Sequence, residues 1–226
     1  MIAVDINQEK KRYQTEFDLC CQKFLQDHHS SRFLTKHSSL VDGLLRRIWL
    51  KNNLTDNMSL IAVGGYGRQE LFPFSDIDFL ILHNDIITSQ IEKLISQFIT
   101  ACWDLGLKIG HSVRDLSEVK KEFNADITTA TNLTESRLIC GSNKLFVKMQ
   151  SVIDKTISIK KYYKEKNEEQ LRRHNKYRAS AYQLEPNIKE SPGGLRDLHM
   201  IRWISISQKK GSTFYEMYQN KIIDKA

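Results

Sequence analysis

The stretch from Ala62 to Leu82, AVGGYGRQELFPFSDIDFLIL, constrains the fold of this chain more than any other feature. An apolar run ends at a glycine pair, Gly64 and Gly65, and eleven residues after Gly65 an Asp-x-Asp pair opens a second apolar run. Side chains two residues apart on a strand point to the same face of a sheet. We therefore predict that Asp76 and Asp78 project together from the second of two neighbouring strands.

Paired aspartates beside a glycine turn have a defined chemistry. Carboxylate oxygens on one face suit Mg²⁺, which shares its coordination shell with phosphates and water. Gly64 and Gly65 have no Cβ, so a phosphate can approach the backbone closely. A glycine pair alone is often a plain turn, and a lone Asp-x-Asp is often a solvated strand end, but their ordered combination is much rarer. The pattern predicts metal-dependent attack on a nucleoside triphosphate.

These residues also carry a family resemblance. The glycine turn followed by Asp-x-Asp resembles the signature of DNA polymerase beta-like nucleotidyltransferases. More narrowly, GGYGRQELFPFSDID is similar to the nucleotidyltransferase region of bacterial PII-protein uridylyltransferases, which also remove uridylyl groups. Three further blocks match that family in order: Gly110–Arg114, Ala130–Arg137 and Leu184–His199. The resemblance covers roughly residues 58 to 205, and Gln69 stands where the family commonly has glycine.

The resemblance implies a catalytic set built on carboxylates. Asp76 and Asp78 would bind Mg²⁺, with two ions assisting the displacement at phosphorus. A third carboxylate is usual in the superfamily, on the strand after Asp-x-Asp, but the third predicted strand here has none. Asp115, Glu118 and Asp126 remain open for this role, and we expect Asp126, which opens the next matched block.

The same resemblance implies nucleotide-binding residues at the glycine turn. The Gly64 and Gly65 amides and Ser75 would bind the β- and γ-phosphates, and Arg68 could add a charge-assisted contact. The alternative for Arg68 is an ordinary surface arginine. The aromatic side chains Tyr66, Phe72 and Phe74 are expected to pack rather than to bind ligand.

The block SPGGLRDLH, residues 191–199, predicts a second contact region. Pro192 fixes one backbone angle, Gly193 and Gly194 permit a turn, and Asp197 would lie near the positive end of a helix. Arg196 would then be presented to a triphosphate or a base, so Gly193, Gly194 and Arg196 are predicted to bind nucleotide. The alternative is a helix cap with an ion pair.

Composition and charge limit the remaining possibilities. The net charge of +7 is concentrated between Lys144 and Glu190, where 12 Lys and Arg stand against 6 Asp and Glu. Such a stretch is more often a solvated helix face than a nucleic-acid site, and aromatic residues for stacking are sparse, so nucleic-acid binding is not expected. Four cysteines lack metal-ligand spacing. No apolar run approaches 18 residues and no signal peptide is evident, so we expect a cytoplasmic protein without membrane association.

Apolar periodicity outlines the architecture. Two amphipathic helices, a strand at 59–63, a strand at 77–82, a helix ending near Gly106 and a strand at 107–114 are predicted, followed by helices up to Gly141. We predict an α+β fold in which a small mixed-sheet, polymerase beta-like nucleotidyltransferase core is flanked by helical segments. The expected segments are a helical lead over 1–57, the core over 58–143 and a helical lobe, complete or truncated, over 144–226.

Three classes of function remain open. The resemblance implies a nucleotidyltransferase that moves UMP from UTP to a tyrosine of the PII nitrogen-regulatory protein. A same-fold enzyme acting on a small molecule or an RNA end is the first alternative, and a catalytically inactive, truncated remnant is the second. No histidine and aspartate pattern for a hydrolase metal site is present, so uridylyl removal and glutamine sensing are expected to be absent. The choice between UTP and ATP depends on pocket shape and is not readable from the motif.

Overall fold

A computed structural model describes residues 5–52, 54, 57–84, 86–178 and 187–224. The chain divides into two compact units: Met1–Glu122 with Glu135–Val152, and Phe123–Thr134 with Ile153–Ala226. The helices are α1 (Ile6–Asp27), α2 (Ser30–Lys51), α3 (Gly64–Gly67), α4 (Ser89–Asp104), α5 (Leu116–Ala125), α6 (Ile127–Thr134), α7 (Asn143–Thr156), α8 (Ile159–Arg178), α9 (Leu195–Ser207) and α10 (Phe214–Gln219). The strands are β1 (Met58–Ala62), β2 (Ile77–His83), β3 (Ile109–Arg114) and β4 (Arg137–Gly141).

The four strands form one mixed sheet in the first unit, in the order β3-β2-β1-β4. β1 is antiparallel to both β2 and β4, with an irregularity at Leu60/Ile61 on the β4 side. β2 and β3 are parallel and are connected through α4, as a parallel pair requires a crossover. The predicted α+β fold with a small mixed sheet is confirmed. The sheet places the end of β1 and the start of β2 side by side, where the glycine turn and the aspartates lie.

Helices α2 and α4 bury their apolar faces with the sheet in one core. Leu44, Leu45 and Ile48 from α2 join Leu60 of β1 and Phe98 of α4, and all five side chains are fully buried. Burying such a side chain contributes about 1.5–3 kcal/mol. The central residues of β2, Phe79 to Leu82, form a continuous apolar run and are buried on both faces of the sheet.

The division into units differs from the three predicted segments 1–57, 58–143 and 144–226. The helical lead belongs to the same unit as the sheet, because α2 supplies a large part of its core. Residues 123–134 group with the C-terminal helices instead of with the sheet. The boundaries between the units therefore fall inside α5, after α6 and inside α7.

One strand contradicts the sequence interpretation. Helices were predicted up to Gly141, but residues 137–141 form β4 and pair with β1. The segment is only five residues long, so its apolar pattern does not separate strand from helix. Gly141, predicted as a helix terminator, ends the strand with φ +93°, and a Cβ there would lie 2.2 Å from the Met58 carbonyl oxygen.

The second unit is helical, as predicted, in its described residues. Its buried side chains include Tyr162 of α8, Met200 and Trp203 of α9, and Met217 of α10. The Tyr162 hydroxyl lies 3.1 Å from Thr131 Oγ1 of α6. Part of the predicted loop from Leu184 to Leu195 lies outside the described residues, and α9 begins at Leu195. Across the described ranges, every helix is either too short or too polar to cross a membrane.

Candidate active site

The glycine turn between β1 and β2 is a single helical turn, α3. The Val63 amide donates to the Asp78 carbonyl at 3.0 Å, so the residue before the turn is tied to β2. Gly64 has φ +57°, a conformation that favours glycine. The turn closes with bonds from Gly67 N–H to Val63 O at 3.1 Å and from Arg68 N–H to Gly64 O at 3.0 Å. As in any first helical turn, the amides of Gly64 and Gly65 have no acceptor within the helix.

Asp76 and Asp78 lie beside this turn, but only Asp78 belongs to the strand from which both were predicted to project. Asp78 is the second residue of β2, and Asp76 precedes the strand by one residue. Burial raises the pKa of the Asp78 carboxyl, and the negative charge of Asp76 raises it further. Two neighbouring carboxylates, one exposed and one half-buried, form an electronegative pair with only oxygen donors. This donor set fits Mg²⁺.

The three candidates for a third carboxylate each bond to backbone at the start of a helix. Asp126, the predicted residue, belongs to the second unit, where its carboxylate accepts from the Thr129 amide at 2.6 Å and caps α6. Asp115 and Glu118 bond reciprocally at the start of α5. Among the described residues, no group of three or more His, Cys, Asp or Glu side chains is arranged to hold a metal ion. A catalytic role for Asp126 stays a prediction.

Arg68 directly follows the glycine turn and pairs with two carboxylates, those of Glu70 and Glu135. Its Nε donates to Glu70 Oε2 at 2.8 Å, and its Nη1 donates to Glu135 Oε2. The side chain is only 10% exposed, so the alternative of a surface arginine is excluded. Nη2 lies 3.7 Å from the position that a Cβ would take at Gly65. Arg68 Nη2 is therefore close to the place where a phosphate would bind at the turn. The contact between them stays a prediction.

The residues between the turn and Asp76 differ in burial. Ser75 is exposed, and its amide donates to the Phe72 carbonyl at 3.1 Å in a turn that leads into β2. Tyr66 is 2% exposed and packs, as predicted. Phe74, which was also expected to pack, is 90% exposed, and Phe72 is half exposed. The prediction for Phe74 was wrong, because Phe74 lies inside the turn that the bond from Ser75 N–H to Phe72 O closes.

In the second unit, the block at residues 191–199 forms the cap of α9. Gly193 has φ +80°, and its amide donates to Asp197 Oδ2 at 2.7 Å. A Cβ at Gly194 would lie 2.6 Å from the Ile188 carbonyl oxygen, so only glycine fits there. Arg196 pairs with Glu190 at 3.3 Å and lies 5.7 Å from the centroid of the Trp203 ring. The structure shows the helix cap with an ion pair, and nucleotide binding by Gly193, Gly194 and Arg196 stays a prediction.

Sequence reasoning missed the side chains that support the glycine turn. Asp42 of α2, Glu135 before β4 and Arg137 at its first position all contact α3 or the residue that follows it. Their separations along the chain from the turn run from 24 to 71 residues. No local pattern marks such partners. The only available signal was the matched block Ala130–Arg137, which contains two of them.

Comparison with known proteins agrees with this geometry. Residues 44–128 match the family model described as a nucleotidyltransferase domain, and residues 161–226 match that of GlnD PII-uridylyltransferase. Bifunctional uridylyltransferase/uridylyl-removing enzymes are similar to this chain. That of Nitrosospira multiformis is 40% identical over 208 residues, which cover 89% of this chain and 23% of the relative. That of Vibrio campbellii is 42% identical over 200 residues, covering 87% of this chain and 23% of the relative. The chain thus spans about a quarter of the length of the curated relatives it matches.

Proposed function

This chain belongs to the PII-uridylyltransferase family of nucleotidyltransferases, whose N-terminal region it matches, and we propose that it transfers UMP from UTP to a tyrosine of a PII nitrogen-regulatory protein. The observation that carries the proposal is the pairing of Asp76 and Asp78 beside the α3 glycine turn. The choice of a uridylyl group rests on the similarity to bifunctional uridylyltransferase/uridylyl-removing enzymes. The proposal includes Mg²⁺ as the cofactor and a cytoplasmic location.

The residues in and beside the glycine turn have separate roles in this proposal. Asp76 and Asp78 hold Mg²⁺, which when bound neutralises charge on the triphosphate and on the leaving pyrophosphate. The Gly64 and Gly65 amides and the Ser75 hydroxyl bind phosphate oxygens, and Arg68 Nη2 adds positive charge from behind the turn. The tyrosine hydroxyl of the target loses its proton to solvent, and its oxygen forms a bond to the α-phosphorus of UTP. The bond from that phosphorus to the bridging oxygen breaks, and pyrophosphate leaves. Catalysis then rests on positioning and electrostatics.

A second candidate function rests on the charge of α8. Between Lys160 and Lys176 this helix carries several exposed cations, so a polyanionic acceptor such as an RNA end is the alternative to a protein tyrosine. Two of the cations in α8 have structural partners instead: Lys166 lies 4.0 Å from the centroid of the Trp203 ring, and Arg173 pairs with Asp197. The basic helix thus supports this candidate only in part.

The test is a transfer assay with α-³²P-labelled UTP, Mg²⁺ and a trimeric PII protein. We expect label on a PII tyrosine, identified by mass spectrometry, no label on the PII variant with that tyrosine replaced by phenylalanine, and much less label from ATP. Labelling of RNA ends instead would favour the second candidate. Nucleotide binding without any transfer would indicate an inactive remnant.

A further inference from the structure

The tyrosine inside the glycine turn is anchored to a helix of the core. Tyr66 follows Gly65 directly, and its hydroxyl donates to Asp42 Oδ1 of α2 at 2.6 Å. The ring is 2% exposed, and the Asp42 side chain is 8% exposed. Burial raises the pKa of Tyr66 well above its ordinary value, and the Asp42 charge adds to this, so the hydroxyl remains a donor. The bond therefore fixes the position of α3 on α2.

An arginine joins the same carboxylate to the backbone of the turn. Arg137 donates to Asp42 Oδ2 at 2.6 Å and to Oδ1 at 3.1 Å. It also donates to the carbonyl oxygens of Tyr66 and Gly67, each at 3.3 Å. A guanidinium with a rigid array of donors is suited to such multiple contacts. Asp42 and Arg137 neutralise each other, so neither presents a net charge to a ligand at the turn.

The start of the turn is tied to β2, the strand that contains Asp78 and that Asp76 directly precedes. The Val63 amide donates to the Asp78 carbonyl at 3.0 Å, immediately before Gly64. At Gly67 a Cβ would lie 1.8 Å from the Glu135 carbonyl oxygen, so the turn is also packed tightly against the segment that leads into β4. The turn is held between α2, β2 and β4, and release of one contact would move the Gly64 and Gly65 amides relative to Asp78.

We infer that Asp42, Tyr66 and Arg137 are positioning residues that set the glycine turn at the distance from Asp76 and Asp78 that binding of a magnesium–nucleoside triphosphate requires. This inference rests on the proposed function and assigns roles to residues outside the glycine and aspartate signature. The three side chains act through the backbone of α3 and touch no phosphate themselves. Their effect should therefore appear in nucleotide affinity more than in the rate at saturation.

Tyr66→Phe is the most specific test, since it removes one hydroxyl and keeps the ring. Tyr162→Phe is the matched control, because Tyr162 is also buried and loses a hydroxyl contact to Thr131 in the second unit. For Tyr66→Phe we expect the Kd and KM for UTP with Mg²⁺ to rise about tenfold, as the loss of one net hydrogen bond allows, with kcat changed by less than about threefold. The Kd and KM of Tyr162→Phe should equal those of the native chain.

Asp42→Asn separates the hydrogen bond from the charge. The amide oxygen of asparagine can still accept from the Tyr66 hydroxyl, but its NH₂ group is a donor placed where Asp42 Oδ2 accepts from Arg137, so KM should rise in this variant through loss of the Arg137 contact. Hydrogen exchange gives a readout that does not depend on activity. The amides of Gly67 and Arg68, which donate to the Val63 and Gly64 carbonyls, should exchange faster in Tyr66→Phe, and those of β1 and β2 should not.

Two results would overturn the inference. If Tyr66→Phe binds UTP as tightly as Tyr162→Phe does, or if exchange at the Gly67 and Arg68 amides is unchanged, the three side chains do not position the turn. The proposed transferase activity of the native chain is unaffected by that result. If the native chain itself binds no UTP, both the inference and the proposed function fail. The native measurement therefore distinguishes the two failures.

Discussion

Gly110 of β3 lies opposite Asp78 of β2, and the Asp78 carboxylate occupies the space that a side chain at residue 110 would need. The two residues are paired in the parallel register, and a Cβ at Gly110 would lie 2.1 Å from Asp78 Oδ1. Gly110 has no positive φ, so its backbone would accept alanine. The requirement for glycine therefore comes from the aspartate and not from the backbone.

Gly110→Ala should reduce transfer more than it reduces stability. The Asp78 side chain can rotate away from the new methyl group, so the fold survives, but the carboxylate is displaced from the metal. A displacement on the order of 1 Å can cost about 100-fold in rate, and we expect kcat/KM to fall roughly 10- to 100-fold. Gly43→Ala in α2 is the control, since a Cβ there meets Arg47 at an ordinary 3.4 Å. Native kcat/KM in Gly110→Ala would contradict the placement of Asp78.

Arg68 should contribute to both stability and nucleotide binding. Arg68→Met leaves the Glu135 carboxylate, whose side chain is 1% exposed, without its guanidinium partner. Loss of one partner of a buried ion pair costs about 3 kcal/mol, which urea unfolding would detect. Adding Glu135→Gln should restore most of that stability. We expect the KM for UTP to remain raised about tenfold in the double variant, because Nη2 is lost from the turn. A stable double variant with native KM would limit Arg68 to a structural role.

Asp197 should make the second unit sensitive to acid. Burial raises the pKa of its carboxyl, but hydrogen bonds from Gln170, the Gly193 amide and His174 outweigh burial and lower the pKa to about 2. The unfolded value is about 3.9, so this stabilisation is complete near neutral pH and is lost as the pH falls from about 4 to about 2.

Asp197→Asn tests this directly. The free energy of unfolding should fall by about 2 kcal/mol at pH 7, and the difference from the native chain should narrow to about half at pH 3. Asp154→Asn, which removes an exposed pair with Lys209, should change stability by less than about 0.5 kcal/mol at either pH. If the difference in the free energy of unfolding between Asp197→Asn and the native chain does not vary with pH, the charge of Asp197 is not the source of the stabilisation.

Local patterns in the sequence were sufficient to predict β1 and β2, the two strands on either side of the glycine turn. The glycine turn, Asp76 and Asp78 lie within 15 residues of each other, and apolar runs on both sides mark β1 and β2. The side-chain period of a strand predicted both aspartates on one face, but β2 begins at Ile77, so that argument applies to Asp78 and not to Asp76.

The missed features depend on contacts between distant segments. β4 is a short strand that owes its conformation to pairing with β1, which lies about 80 residues earlier in the chain. The support of the turn by Asp42 and Arg137 joins residues 95 apart, and no periodicity links them. The close approach of the Asp78 carboxylate to Gly110 can be recognised only once the parallel register of β2 and β3 is known. Sequence therefore located the candidate site but not the side chains that hold it in place.

The roles of Asp76 and Asp78 are tested most directly by measuring UMP transfer from labelled UTP to PII protein for Asp76→Asn and Asp78→Asn. Asp104→Asn is the control, since Asp104 is an exposed carboxylate at the end of α4 in the same unit. We predict that each of the two variants folds normally by circular dichroism and loses at least about 100-fold in kcat, the scale of one lost electrostatic contact at a reacting centre. The control should keep native turnover. Near-native transfer by Asp76→Asn or Asp78→Asn with Mg²⁺ would contradict the assignment of the active site.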